Sequence, residues 1–260
     1  LKRSVWPIAN GAPELLAVLR KVEGNALTTA HRALRECGRI FRYAIATGRG
    51  ERDVAADLRG ALTPAVDNHY ATITEPKAVG KLLRDLDAHK GRFPVQCALR
   101  LGPLVFVRAN ELAGAEWSEI DLDKAEWRIP ASRMKMKQVH IVPLSRQALA
   151  IFRELHVFSG HDRYVFPGWS KKDPHMHKGT LVIALRRMGY TKNDMSFHSF
   201  RSLASTLLNE QGYNRDWIER QLAHSERNGV RAAYNYAEYL PERRRMMQEW
   251  SDYIYGLKNQ

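Results

Sequence analysis

The 260-residue sequence is poor in cysteine, short of acidic residues and free of long apolar runs, and each shortage excludes something. The only cysteines, Cys37 and Cys97, stand among apolar residues in helix-like patterns. That excludes a disulfide framework and a zinc cluster, and it points to reduced, buried thiols in a cytosolic setting. No apolar run reaches the length of about eighteen residues that a membrane-spanning helix needs, so no membrane partner is expected. No secretory leader, internal repeat or low-complexity tract is visible. The first residue is Leu1 rather than Met, from which a trimmed chain lacking an N-terminal part is expected.

The shortage of acid is the most informative. Asp and Glu number 28 against 41 Lys and Arg, leaving a net charge of +13. A basic surface aids solubility, but it also suits a polyanion, and nucleic acid is the commonest one. No convincing acidic cluster is present to hold a metal, and no cofactor is expected. With 44% hydrophobic and 27% charged residues the composition is that of a globular protein, long enough for one large domain or two smaller ones.

The periodicity predicts helices over 13–22, opened by Pro13 and stopped by Gly24, and over 29–47. The second has Ala33, Leu34, Cys37, Ile40, Phe41, Ala44 and Ile45 on its apolar side. Arg32, Arg35, Arg39 and Arg42 lie on the other, a face suited to DNA. Residues 1–67 therefore read as a small helical domain, 68–74 as the end of a linker that starts near Thr63, and 75–260 as a second domain. Thr74 is expected to cap the next helix, and a more apolar helix is expected from about Pro94 to Val107. "AEWRIP" and "VHIVPL" read as strands around the basic connection "ASRMKMKQ". Ser145 caps a helix to about Phe158, "YVFP" reads as a short strand or extended piece, and "DPHMHKG" as a loop. Helices dominate from Lys178. The fold class is mainly α with a small antiparallel β-sheet (α+β).

Six residues carry candidate chemistry. Arg108 leaves an apolar helix at "FVRANEL" and is costly to bury unpaired; an ion pair with Glu111 is the plain explanation. Lys135 sits on the connection between two strands, where a turn lysine is ordinary but a general acid is also conceivable chemistry. His198 and Arg201, at i and i+3 in "FHSFRSLASTLLNEQG", share a helix face at its first turn. Two cationic donors side by side repel, unless an anion sits between them. His224 follows an apolar helix end, and Tyr234 lies ten residues later.

Each of these is weak alone. In this order, Arg, Lys, His-x-x-Arg, His and Tyr, they resemble the tyrosine recombinases, the phage-type integrases. The wording "GAEWSEIDL", "IVPLSRQA", "ASTLLNEQG", "AAYN" and "AEYLPERRRMMQ" is similar to the integrases of prophages and genomic islands. The resemblance covers nearly the whole chain. It implies a helical core-type DNA-binding domain and a catalytic domain closing as a C-shaped clamp on double-stranded DNA. It further implies a homotetramer on two DNA sites, a monomer off DNA, and excision or bending accessory proteins. The chain would be cytoplasmic and nucleoid-associated, and the N-terminal arm-binding domain of such integrases is expected to be absent from it.

The implied reaction is site-specific recombination through a 3′-phosphotyrosyl link, integrating or excising a mobile element without metal or ATP. Arg108 and Arg201 would clamp the scissile phosphate and Lys135 would protonate the 5′-oxygen. His198 would assist proton removal from the tyrosine, His224 would donate to a non-bridging oxygen, and Tyr234 would be the nucleophile. Arg231 is read as surface. Two departures stand out. Ala109-Asn110 replaces a common Pro-Gly after the first arginine and is expected to loosen its turn. Tyr236 stands where arginine is common, creating a second candidate nucleophile. The alternatives are type IB topoisomerase-like relaxation, against which His198 argues, and a non-catalytic DNA-binding protein with a relict site. The C-terminal helix offers Met246, Met247, Trp250, Ile254 and Leu257 as an apolar face, for a neighbouring protomer or for its own domain.

Overall fold

The most apolar helix of the chain organises everything that positions the site. Pro94 at its first turn supplies a preset φ and lacks an N–H that would go unpaired there. The helix runs Phe93–Val105 and buries nearly every residue from Pro94 to Val105. The computed structural model describes residues 11–64, 71–170, 172–224 and 238–260. The chain forms two units, 1–69 and 70–260.

In the first unit, α1 (Ala12–Glu23) and α2 (Leu27–Ala46) pack around Leu19, Ala30, Leu58 and Leu62. The arginines Arg32, Arg35, Arg39 and Arg42 are exposed. Arg39 pairs with Glu36 at 2.8 Å and Arg42 with Asp53 at 3.0 Å. The expected apolar stripe of α2 is corrected at two positions: Ile40 and Ile45 are exposed, and α2 meets the small core through Ala30, Ala33 and Leu34 in its first half. Cys37 is only half-buried, whereas Cys97 is fully buried and its thiol is pushed up to about 12 by desolvation.

In the second unit, α3 (Pro76–Ala88) is capped by Glu75, not Thr74. The Glu75 carboxylate accepts from the backbone N–H groups of Lys77 and Ala78, which the shorter threonine one residue back does not. Next come the apolar helix, α4 (Phe93–Val105), and the short α5 (Ala109–Ala113). A three-stranded antiparallel meander follows, β1 (Ile120–Asp121), β2 (Glu126–Ile129) and β3 (His140–Pro143), with Trp127 opposite Val142 and Ile129 opposite His140. Ser145 caps α6 (Arg146–Ser159) through Ala148 N–H.

A two-stranded hairpin, β4 (Pro167–Ser170) with β5 (Asp173–His175), corrects one expectation, the loop at "DPH". "YVFP" contributes only its last residue to a strand, and "DPH" is strand rather than loop. Pro174 is tolerated because a two-stranded sheet is all edge. Then come α7 (Gly179–Arg187), α8 (Ser199–Glu210), α9 (Arg215–Gln221) and α10 (Leu240–Lys258).

Around α4 pack α3, α5, α6, α7, α8 and α10. Gly102 makes room for α8: a Cβ there would lie 3.0 Å from the rings of Phe197 and Phe200. The apolar face of α10 is turned into its own unit, with Met246, Met247, Trp250, Ile254 and Leu257 all buried. Trp250 Nε1 donates to Pro103 O at 2.8 Å, so the choice between neighbour and own domain falls to the latter. The helix lies so close to α3 that a Cβ on Gly80 would meet Leu257 O at 2.3 Å.

Candidate active site

α4 ends abruptly. Phe106 closes it in the left-handed conformation, at φ 35°. A bulky side chain there is strained by about 1–3 kcal/mol, and the strain has a visible use. The Phe106 carbonyl accepts from Arg201 Nη1 at 2.8 Å. A second left-handed residue, Ala223 at φ 48°, follows α9, and its carbonyl accepts from Arg108 Nη2 at 3.3 Å. Leu222 O, one residue earlier, accepts from Arg201 Nη2. Two backbone reversals thus present carbonyl dipoles to two guanidiniums.

Arg108 is the N-cap residue of α5, and Glu111 completes the cap. The Glu111 carboxylate, 3% exposed, accepts from Arg108 N–H at 2.8 Å and from Arg108 Nη1 at 2.8 Å. Ala109 and Asn110 form the first turn of α5 without Pro-Gly. Beside Ala109-Asn110, Glu111 holds both the backbone N–H and the side chain of Arg108. The ion pair that was the plain explanation of Arg108 is real, and it leaves the arginine 24% exposed at the site.

Arg201, on α8, is 4% exposed. Desolvation first, and the nearby Arg108 charge second, push its pKa down to about 10, so it remains a cation at neutral pH. Its Nε–H is buried with no hydrogen-bond partner among the described residues. A buried donor left unmade costs about 1–3 kcal/mol, so the guanidinium is held one acceptor short.

His198 is the N-cap residue of α8, three before Arg201. Its pKa is lowered by desolvation, then by the charges of Arg201, Arg108 and His224. His224 joins the same group: Nε2 lies 3.1 Å from Arg201 Nη2, and Nδ1 lies 2.8 Å from Glu219 Oε2 on α9. Arg108, His198, Arg201 and His224 therefore converge, from the starts of α5 and α8 and the segment after α9. Lys135 stands exposed on the β2–β3 connection, and among the described residues no hydrogen bond or ion pair ties it to the other four. Tyr234, Tyr236 and Arg231 lie outside the described residues.

Chemically, the two guanidiniums make the pocket cationic, with Glu111 and Glu219 beside them. Arginines offer forked donors matched to phosphate oxygens. Among the described residues, no group of three or more His, Cys, Asp or Glu could hold a metal ion. Nor is any described helix long and apolar enough to cross a membrane.

Three supporting residues escaped the sequence. Glu219 precedes His224 by five residues, a spacing that puts an acid near a helix-end histidine but is common. Glu119 and Arg133 hold α5 and the strand connection together, and no local pattern pairs them.

Comparisons with known proteins give the family. The phage integrase family matches residues 73–240, and the phage integrase central domain matches residues 7–61. The integrase of Enterobacteria phage P4 is 42% identical over 92% of this chain and 58% of its own length. The prophage integrase IntZ of Escherichia coli K12 is 39% identical over 97% of this chain and 61% of its own. This chain thus spans about three fifths of the curated relatives it matches. Among solved structures, a lambda integrase (75-356) dimer bound to a COC′ core site superposes with a TM-score of 0.64 at 18% identity, covering 83% of this chain and 79% of that one. The Tn1549 transposon integrase in complex with circular intermediate DNA gives 0.65 at 12% identity, covering 91% and 85%.

Proposed function

This chain belongs to the phage integrase family, and we propose that it cuts and rejoins duplex DNA at a specific site through a tyrosyl intermediate, to integrate or excise a mobile element. The observation that carries the reading is the convergence of Arg108, Arg201, His198 and His224 around a guanidinium that lacks one acceptor among the described residues. A scissile phosphate is the anion such a pair of guanidiniums awaits.

A phosphodiester resists attack because it is anionic and its alkoxide leaves poorly, so catalysis rests on positioning and charge neutralisation. In the proposed reaction the Tyr234 oxygen attacks phosphorus and the P–O5′ bond breaks. Lys135 gives its proton to the departing 5′-oxygen. His198, whose lowered pKa leaves it neutral at pH 7, takes the tyrosine proton. Arg108 and Arg201 stabilise the charge that builds on the non-bridging oxygens, and His224 donates to one of them. The 3′-phosphotyrosyl bond conserves the energy of the broken one. A 5′-hydroxyl from another strand then attacks it and releases the tyrosine, without ATP. The arginines supply the charge that a metal supplies in other phosphoryl-transfer sites.

The partners in this reading are duplex attachment sites, a homotetramer assembled on two of them, and accessory proteins that bend DNA or favour excision. Off DNA the chain is a monomer. The first domain of the reading, residues 1–67, contributes the exposed arginines of α2 as phosphate contacts, and residues 75–260 contribute the chemistry.

The test is cleavage of the attachment-site duplex in a chelating buffer. Wild type is expected to cut. Arg108→Lys and Arg201→Lys are expected to lose on the order of 10²-fold or more in rate, since lysine lacks the fork, while still binding DNA. Full activity in Arg201→Lys, or dependence on added divalent metal, would sink the reading.

A further inference from the structure

We propose that Arg133 is a positioning residue for the general acid: it pins the root of the β2–β3 connection so that Lys135, two residues on, reaches the departing 5′-oxygen. The inference rests on the reading of Lys135 given above.

The connection, residues 130–139, is divided sharply. Met134 is 2% exposed and packed in the core, and residues 135–139 are exposed. Arg133 turns inward instead of out. Its Nη2 donates to Glu111 O at 2.7 Å, and its Nη1 pairs with the Glu119 carboxylate. Glu119 is 8% exposed and also accepts from Trp127 Nε1 of β2 at 3.0 Å, with Trp127 fully buried. Room for the guanidinium is left by Gly114, where a Cβ would lie 3.2 Å from Arg133 Nη2. Turn hydrogen bonds from Arg133 N to Pro130 O (3.0 Å) and from Met134 N to Ala131 O (3.2 Å) shape the same stretch.

A strand-connecting turn needs none of this inward machinery, and an arginine placed there for solubility would point to water. What the arrangement achieves is a tether. Two residues span at most about 7 Å of backbone, so Lys135 is confined to a short radius about a fixed point. That point is bonded to Glu111, the residue whose carboxylate holds Arg108. One guanidinium therefore ties the acid to the phosphate clamp. Misplacement of a reacting group by about 1 Å can cost on the order of 10²-fold in rate.

The experiment compares an ordinary phosphodiester with a substrate whose 5′-bridging oxygen is replaced by sulfur. A thiolate leaves without a proton, since thiols ionise near pH 8.5 while an alkoxide needs an acid. Cleavage by wild type, Lys135→Ala, Arg133→Ala and Arg133→Lys is measured on both, with DNA affinity and thermal unfolding recorded for each. Arg133→Lys keeps a cation beside Glu119 but cannot reach both partners, so it covers the case in which Arg133→Ala fails to fold.

On the phosphodiester, Lys135→Ala and the Arg133 variants are expected to slow by on the order of 10–10²-fold. On the sulfur substrate all are expected to return to within several-fold of wild type, with DNA affinity unchanged throughout. If Lys135→Ala recovers while the Arg133 variants stay equally slow on both substrates, the proposal is wrong and Arg133 acts only on the Arg108 turn or the fold. If Lys135→Ala does not recover, the reading of Lys135 as the acid fails, and this inference fails with it.

Discussion

The Arg201 guanidinium lies 3.1 Å from His224 Nε2, and because arginine can only donate, that nitrogen must carry the lone pair. The His224 proton then sits on Nδ1, 2.8 Å from the Glu219 carboxylate. Without phosphate, His224 is thus held as the Nδ1–H tautomer. To donate to a phosphate oxygen, Nε2 must leave Arg201 and carry the proton itself. Nitrogen-15 NMR of the free protein should show His224 as the Nδ1–H form, and of the attachment-site complex a proton on Nε2. Glu219→Ala should weaken the Nδ1–H preference and slow cleavage about 10-fold or more. An Nε2–H neutral tautomer in the free protein would contradict this account.

Glu111 supports Arg108 through its side chain and its backbone N–H at once. Glu111→Ala should therefore lower both stability and rate. Losing hydrogen bonds from a charged group costs roughly 1.5–3 kcal/mol, and the rate should fall on the order of 10²-fold as Arg108 loses its orientation. Urea denaturation and single-turnover cleavage measure the two effects. A stability loss with cleavage unchanged would show that Glu111 serves only the helix.

His140, at the start of β3, is 5% exposed, and its pKa is pushed down to about 3 by burial and by the charges of Arg243, Arg220 and Arg201. The unfolded chain binds this proton near pH 6.5, the folded one not until about pH 3. Between those values the unfolded state holds more protons, so stability falls as pH drops. His140→Gln should flatten the stability profile between about pH 6.5 and 3. An unchanged acid slope would place the sensitivity elsewhere. His198 contributes with the same sign, because its pKa is also lowered.

Arg243 of α10 is fully buried, reaching Gln221 Oε1 at 2.7 Å, Glu238 O at 3.2 Å and the carbonyl of Ile141. It joins α10 to β3 and to the end of α9, just before His224. Removing a buried charge that holds three acceptors costs about 3–5 kcal/mol. Arg243→Ala should lower urea stability by that much, and Arg243→Met by less, since it fills the volume. Equal losses for the two would mean that packing volume is not what the substitution changes.

How much of this was legible beforehand follows from which signals are local. Ser145 as cap, the proline at the start of α4 and the apolar period of α10 are read within a turn or two of chain. β5 is not legible in the sequence because Asp173 and Pro174 are turn formers, and only the partner strand decides their conformation. Thr74 fits the residue-type preference for a cap, but the reach of the Glu75 carboxylate decides the position. The ordered set from Arg108 to Tyr234 was visible as a pattern, but what orients Arg201 was not. Its acceptors, Phe106 O and Leu222 O, depend on chain reversals at Phe106 and Ala223, and neither residue type announces a left-handed conformation. Arg133 and Glu119, fourteen residues apart, meet only because β2 returns along β1.

The central claim is that Tyr234 attacks a phosphate held by these cations. Its most direct test is covalent trapping. The protein is incubated with a nicked suicide duplex carrying its attachment core, and the products are run on a denaturing gel beside Tyr234→Phe and Tyr236→Phe. The account predicts a DNA-linked protein band in wild type and Tyr236→Phe, lost in Tyr234→Phe. A band that survives in Tyr234→Phe, or none from wild type on a tightly bound site, would contradict it.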